Sequence, residues 1–338
     1  MRIGVAGVGR IGTMHAAHLA ALPAVDEVLL HDPVEGRAEE TARGLAKARP
    51  TAGVAELLDQ ADGVLIATPT DTHPAMVRGC LAAGKPALCE KPIAADLAEM
   101  TTLVEEVEAA EVPVLVGFQR RFDPAVVELR RRITTGELGP IYHVRATGFD
   151  ANPPDLAYLP SSGGIFRDLL IHDLDAVPWL VGEPVIEVYA SGSVLVDQAF
   201  AHADDVDNAV VVLRFAGGAH ALLAGGRHDP LGYDHRIEVL GGKDSVAVGL
   251  DPRTPLNSLE PDGPRSDADA YPGFPERFRR AYLNEMQVFV DVLGGRADNP
   301  SPARDSLVSL RLAEACEQSR RTGTPVRVDL RSDGGSPS

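Results

Sequence analysis

Residues 2–12 read Arg2-Ile3-Gly4-Val5-Ala6-Gly7-Val8-Gly9-Arg10-Ile11-Gly12. Residues 2–6 are a short apolar run of the kind that forms a buried strand, and a glycine turn then opens a helix reaching about Leu22. Gly7, Gly9 and Gly12 fit G-x-G-x-x-G, a weak pattern in isolation. Here it sits between a strand and a helix, and a second strand-like run, residues 27–31, ends at Asp32, 20 residues beyond Gly12. That context is the dinucleotide-binding fingerprint. Gly7 permits the tight turn, Gly9 lets a pyrophosphate approach the backbone, and Gly12 lets helix and strand pack closely. The helix N-terminus offers N–H donors and positive potential to the phosphates. Asp32 is placed to accept hydrogen bonds from the adenosine ribose and to repel a 2′-phosphate, which favours NAD over NADP. Arg37, five residues on, works against that preference because it can reach back to a 2′-phosphate.

Working outward, helix-like residues follow to Lys47, and residues 63–67 are a third strand, followed by Thr68-Pro69-Thr70. Helix 73–83, strand 87–90, helix 96–111 and strand 114–117 continue the series. Continuous apolar strands alternating with helices predict a doubly wound α/β domain with a parallel sheet, spanning residues 1–118. After Phe118 the pattern changes. Helix 124–134 and strand 141–147 lead through a polar loop, 150–162, into one helix expected over 164–181. Residues 185–249 read as several strands, with hairpin signals at Gly217-Gly218 and Gly241-Gly242. This predicts a second α+β domain, 119–330, with a largely antiparallel open sheet. Residues 251–275 hold six prolines and read as a long loop, helices near 276–293 and 303–320 and a short strand at 325–330 follow, and 331–338 read as a frayed tail.

A net charge of −17 argues against a nucleic-acid partner, because phosphate backbones require a basic footprint. No apolar run is long enough to span a bilayer. The chain enters its first strand directly from Met1, so no secretory leader and a cytoplasmic location are expected. Cys80, Cys89 and Cys316 are too few and too scattered for a metal site or a disulfide framework. Only four of the 32 basic residues are lysine: Lys47, Lys85, Lys91 and Lys243. Lysine, unlike arginine, can shift its pKa and share a proton, which draws attention to Lys91 at the C-terminal end of a strand. That edge is where doubly wound sheets bind ligands. Asp168 and His172 are four residues apart, so on one helix they share a face, and Asp175 continues the stripe. A carboxylate beside an imidazole raises its basicity, which suits a base taking a hydroxyl proton.

Glu90-Lys91-Pro92, Ala67-Thr68-Pro69-Thr70 and Gly117-Phe118-Gln119-Arg120-Arg121-Phe122-Asp123-Pro124 together resemble the Gfo/Idh/MocA oxidoreductases. The segment Gly164-Ile165-Phe166-Arg167-Asp168-Leu169-Leu170-Ile171-His172-Asp173 is most similar to inositol 2-dehydrogenases. The resemblance covers nearly the whole chain. It implies a Rossmann domain joined to an α+β domain, NAD(P), a sugar or cyclitol substrate and a homotetramer built on the C-terminal sheet. It adds Arg10, Ile11, Thr68, Pro69, Thr70, His73, Glu90 and Lys91 to the glycines and Asp32 as cofactor-binding residues. It makes His172 the base, Asp168 its partner, and Lys91 the group that steadies the hydroxyl oxygen. Arg120, Asp150, Asn152, Asp175, Tyr233 and Tyr282 then join Lys91, Asp168 and His172 around the substrate. The similar dehydrogenases carry histidine where this chain has Asp150, a departure that bears on the choice of polyol. Asp173, His202, His220, His228 and His235 read as structural.

The leading expectation is oxidation of a cyclitol, myo-inositol or a relative, to the inosose with NAD. An aldose or deoxy-sugar dehydrogenase of the same family, NADP-linked in one version, is the enzymatic alternative. A dinucleotide-binding regulator without turnover is the alternative of another class. The joint presence of Lys91, Asp168 and His172 argues against it, since a sensor needs no proton relay.

Overall fold

A computed structural model describes residues 1–263 and 269–329. The chain forms two compact units. The first takes Met1–Asp123 and the returning segment Arg280–Leu307, and the second takes Pro124–Arg279 and the chain from Val308 onward. The reading at Phe118 drew one boundary and left the last helices with the second domain. Returning segments of this kind leave no mark on local sequence.

In the first unit the order is β1 (Arg2–Ala6), α1 (Arg10–Ala21), β2 (Glu27–His31), α2 (Arg37–Arg43), β3 (Ala48–Pro50), α3 (Val54–Gln60), β4 (Gly63–Ile66), α4 (His73–Ala82), β5 (Ala87–Cys89), α5 (Leu97–Ala110) and β6 (Val114–Val116). The strands line up as β3-β2-β1-β4-β5-β6, every pair parallel. Strands β4, β5 and β6 are buried throughout, which is why they read as continuous apolar runs rather than alternating ones. β3 and α3 were missed. β3 is a three-residue edge strand ending in proline, which leaves no periodicity to read. Helix α5 starts where its cap dictates: the Asp96 side chain accepts from the Glu99 N–H.

In the second unit come α6 (Pro124–Thr134), β7 (Ile141–Phe149), α7 (Leu159–Ser162), α8 (Ile165–Asp168), α9 (Ile171–Val181), β8 (Val185–Ser193), α10 (Gln198–His202), β9 (Asn208–Phe215), β10 (His220–Gly226), β11 (Asp234–Gly241), β12 (Ser245–Val248) and α11 (Phe274–Arg277). α12 (Arg279–Leu293), α13 (Ala303–Thr322) and β13 (Val326–Arg327) close the chain. The seven strands run β12-β11-β7-β10-β9-β8-β13. Only β7 with β10 is parallel, so the sheet is the largely antiparallel one expected. Both glycine pairs are hairpin turns, Gly217-Gly218 between β9 and β10 and Gly241-Gly242 between β11 and β12. One face of the sheet packs on α9 through a core that includes Leu170, Leu174, Val177, Val211, Leu213, Leu223 and Ile237. The other face leaves Tyr189, Val210, Leu222 and Leu240 exposed.

The single helix expected over 164–181 is a correction. It is two helices, α8 and α9, separated by a turn at Leu169-Leu170. The Ile165 carbonyl accepts from both the Leu169 and Leu170 N–H groups, at 3.0 and 2.9 Å, which widens the turn and resets the helical phase. Both leucines are buried, so tertiary packing overrides the helical propensity of the segment. The closing strand is Val326–Arg327, two residues rather than 325–330, and the tail 331–338 lies outside the described residues. Between residues 251 and 273 the described part holds neither helix nor strand, as the prolines indicated.

Candidate active site

The first unit supplies a dinucleotide cradle. Gly7 follows β1 with φ +88°, a conformation L side chains rarely adopt. A Cβ on Gly12 would collide with the Gly7 carbonyl oxygen, so the third glycine is needed for packing. A Cβ on Gly9 would meet nothing within 4 Å, which leaves open space above the backbone. Gly9 caps α1 with no side-chain hydrogen bond, and the first turn carries no acidic residue. The first N–H groups of α1 are therefore not competed for by a side-chain cap, and their positive potential is not cancelled. A cavity beside the loop is lined by Val8, Gly9, Arg10, Thr13, Arg37 and Thr41, among others. These features fit a pyrophosphate and adenosine ribose.

Asp32 stands at the end of β2. Its Oδ2 accepts from the Val8 N–H at 2.9 Å and its Oδ1 from the Val34 N–H at 2.9 Å. Arg37 Nη1 donates to Asp32 Oδ1 at 3.1 Å. Burial pushes the Asp32 carboxyl up, but the Val34 and Val8 amides and the Arg37 charge outweigh it and hold the group below the usual carboxylate value. Arg37 does reach back, and in this structure it spends its reach on Asp32.

The Lys91 edge is built from four elements. His73, at the start of α4, has Nδ1 2.8 Å from the Pro92 carbonyl and Nε2 2.8 Å from the Thr68 carbonyl. It thereby ties the Thr68-Pro69-Thr70 turn to the Lys91-Pro92 turn, whose peptide bond is cis. Thr72 Oγ1 donates within the same turn. Glu90 Oε1 lies 2.8 Å from Nε2 of His15, a fully buried residue on α1 that sequence reasoning missed. Tyr282 on α12 packs edge-on against His15, ring centroids 5.6 Å apart. One turn along α12, Glu285 is 0% exposed, and neither carboxyl oxygen has a hydrogen-bond partner among the described residues. Burial, reinforced by the neighbouring Glu90 charge, holds the Glu285 carboxyl well above its ordinary value. Glu90 goes the other way. Burial pushes it up, and the His15 hydrogen bond and charge, with Lys91 and His73, more than reverse that. Arg120, just beyond β6, is buried in the same unit.

The second unit supplies a carboxylate cluster. Asp168 ends α8 and His172 is the second residue of α9, so they lie on separate helices and do not share one helical stripe. Asp168 Oδ2 lies 2.9 Å from Arg227 Nη2, and Tyr158 donates its hydroxyl to Asp168 Oδ1 at 3.1 Å. Arg227 Nη1 also donates to Asp150 Oδ2 at 3.4 Å. The departure at Asp150 is thus matched by a cation. Neither Arg227 nor Tyr158 was read from the sequence, and the signal for Arg227, one arginine directly after an apolar strand and two glycines, is faint. Asp175 is buried on α9, with Ser309 Oγ 3.4 Å from its Oδ1. Asn152 is exposed in the loop after β7. His228 Nδ1 holds that loop at the Ala151 carbonyl, 3.0 Å away. Tyr233 is buried, its N–H bonded to the Tyr271 carbonyl and its ring edge-on to Phe278. Among the described residues no group of three or more His, Cys, Asp or Glu could hold a metal. None of their helices is long and apolar enough to cross a membrane.

Comparison with known proteins places this chemistry. Residues 1–118 match the oxidoreductase family with an NAD-binding Rossmann fold, and residues 126–247 match the GFO/IDH/MocA C-terminal domain. The chain is 36% identical to a myo-inositol 2-dehydrogenase of Thermotoga maritima, over 97% of this chain and 99% of that one. It is 35% identical to an NAD(+) scyllo-inositol 2-dehydrogenase of Bacillus subtilis, over 98% and 97%. The crystal structure of a myo-inositol dehydrogenase from Corynebacterium glutamicum superposes with a TM-score of 0.88 at 32% identity, covering 97% of this chain and 99% of that one. The uncapped glycine loop, the Glu90-Lys91-Pro92 turn and these matches lead to one conclusion: the chain belongs to the Gfo/Idh/MocA family and is an NAD-binding oxidoreductase.

Proposed function

We propose that the protein oxidises a CH–OH group of a cyclitol, myo-inositol or a close relative, to the corresponding inosose. Bound NAD supplies the hydride acceptor. His172 takes the hydroxyl proton as the carbon loses its hydride, and Asp168 stabilises the charged imidazole that results. The Lys91 ammonium, at the strand edge ordered by His73 and Glu90, steadies the oxygen as it becomes negative. Hydroxyls away from the reacting carbon need acceptors and donors, which Asp150, Asn152, Asp175, Tyr233 and Arg120 offer. Tyr282, packed on His15, supports the Lys91 edge as much as it offers a hydroxyl.

The observation that carries the reading is the ordered acceptor pair Asp150 and Asp168, the latter four residues before His172, in a family whose first domain takes NAD. Relatives named as myo- and scyllo-inositol dehydrogenases support the choice of cyclitol. The test is NADH production with myo-, scyllo- and D-chiro-inositol beside a set of aldoses. His172→Ala should lower kcat on the best substrate by about 10²–10⁴-fold, the usual worth of a positioned base. Near-native turnover in that variant would remove His172 from the role.

We also assign a homotetramer to the open face of the second sheet. Tyr189, Val210, Leu222 and Leu240 expose apolar surface there beside the Arg145–Glu238 pair. Sedimentation should return a tetramer, and Leu222→Asp a smaller species. A monomeric native protein would end this assignment.

A further inference from the structure

Arg227 follows the two glycines that end β10. Its side chain is 3% exposed, while the carboxylates it pairs with are more open, Asp150 at 22% and Asp168 at 17%. The cation therefore lies beneath and the two anions face outward. Its placement is fixed from several directions. The Arg227 N–H donates to the Asp207 carbonyl at 2.8 Å. Gly225 lacks a side chain where a Cβ would stand 2.8 Å from Leu170, so β10 approaches the turn between α8 and α9 closely. Asp205, a third carboxylate in the Arg227 field, accepts the Ile165 N–H at 3.0 Å at the start of α8, the helix that ends on Asp168. Burial alone would lower the Arg227 pKa, but Asp168 and Asp150 outweigh it and keep the group charged.

A planar guanidinium can bridge two carboxylates at fixed spacing, which a lysine ammonium does poorly. An exposed arginine would invite an anionic substrate group. This one is screened by its own partners, so an incoming molecule meets hydrogen-bond acceptors and negative potential.

We infer that Arg227 is the positioning residue of the polyol half-site: it holds Asp150 and Asp168 together as acceptors, and the face they present selects neutral polyols and amino-polyols against anionic ones. This rests on the cyclitol reading above and adds a charge rule to it. Arg227 is 3% exposed behind the two carboxylates it pairs with. It acts through the two carboxylates.

The experiment compares the native protein, Arg227→Lys and Arg227→Met with NAD, using myo-inositol as the neutral probe and glucuronate and myo-inositol 1-phosphate as anionic ones. The native protein should favour the neutral probe in kcat/KM by about 100-fold or more, the scale of an uncompensated charge at a desolvated contact. Arg227→Met should lose about 100-fold or more in kcat/KM for myo-inositol, because two carboxylates lose their shared cation. Its pH profile for kcat/KM should move, since the cation shared by Asp150 and Asp168 is gone from the half-site. Arg227→Lys keeps the charge without the fork and should lose about 10-fold, mostly in KM. NAD binding should persist in both variants and reports that the fold is intact. Should Arg227→Met not fold, Arg227→Lys decides by the same measurements. Native kcat/KM and an unmoved pH profile in the folded variants would overturn the inference, as would equal turnover of the anionic probes. Absence of any cyclitol or aldose turnover by the native protein would instead sink the functional reading itself.

Discussion

The glycine loop after β1 and the carboxylate cluster around Arg227 both prepare a surface for a ligand, by opposite means. The loop works by what is missing: Gly9 leaves space, Gly12 admits the Gly7 carbonyl, and α1 is left without a side-chain cap. Its information lies within a few consecutive residues. The cluster works by what is brought together: Asp150, Asp168 and Arg227 come from three separate segments and are held by charge and burial. Backbone shape can be read from neighbouring letters, whereas a buried ion network depends on tertiary contacts that sequence spacing does not encode.

The sharpest way to break the comparison lies inside the loop. Gly12→Val places a branched side chain against the Gly7 carbonyl, a backbone group that cannot move aside cheaply. It should abolish measurable NAD binding and lower Tm by several degrees. Gly9→Ala adds a methyl where nothing lies within 4 Å, so Tm should stay native while NAD affinity falls about tenfold or more from lost pyrophosphate approach. Calorimetric titration with NAD beside thermal melts separates the two. Equal losses of Tm in both variants would show that the loop is merely structural.

The same contrast explains what was legible. The strands 2–6 and 27–31 coincide with β1 and β2, and helix 124–134 with α6, because each carries its own period and punctuation. Lys91, Asp168 and His172 were legible as candidates through residue type and resemblance. The break at Leu169-Leu170 was not, because nothing in two leucines distinguishes a helix interior from a turn buried against a sheet. Arg227, His15 and Glu285 were invisible for a related reason. Each matters through a partner 59 to 195 residues away, Asp168 for Arg227 and Glu90 for the other two.

A smaller effect tests the wall behind Lys91, where burial pushes two carboxylates up and only at Glu90, bonded to His15, do hydrogen bonding and charge reverse the shift. Glu285 has its folded pKa raised above the unfolded value. The folded state then holds a proton that the unfolded chain releases, so Glu285 costs stability as pH rises above the ordinary carboxylate range. Glu285→Gln removes that cost. Its stability relative to the native protein should be flat near pH 4 and improve by about 1.4 kcal/mol per pH unit until Glu285 itself ionises. Glu90, with its folded pKa depressed, contributes stability that is present above the unfolded value and lost as pH falls through the folded one. Urea melts from pH 4 to 8 measure both, and a Glu285→Gln gap independent of pH would mean that Glu285 is charged in the fold.

The smallest effect concerns Arg37, where a side chain rather than backbone shape tunes the cradle. Arg37 is 45% exposed, and the Asp32 carboxylate, 3% exposed, keeps the Val8 and Val34 amides as partners without it, so removing Arg37 should cost stability only about 1 kcal/mol. Its influence on cofactor choice should be larger. Asp32 disfavours a 2′-phosphate through its charge, and Arg37, 3.1 Å away, is the cation able to offset that charge or to turn toward the phosphate. Arg37→Ala should therefore leave kcat/KM for NAD within about twofold and lower it for NADP several-fold, since one charge-assisted contact is worth roughly 1.5–3 kcal/mol at most and less when exposed. Asp32→Ala should do the reverse and narrow the gap between the cofactors, with Arg37 then free to bind the phosphate. Initial rates with both cofactors across the two variants give the comparison directly. If Arg37→Ala leaves the NAD to NADP ratio unchanged, the discrimination is carried by Asp32 and the backbone around Gly9, and the cradle is governed by shape and one carboxylate alone.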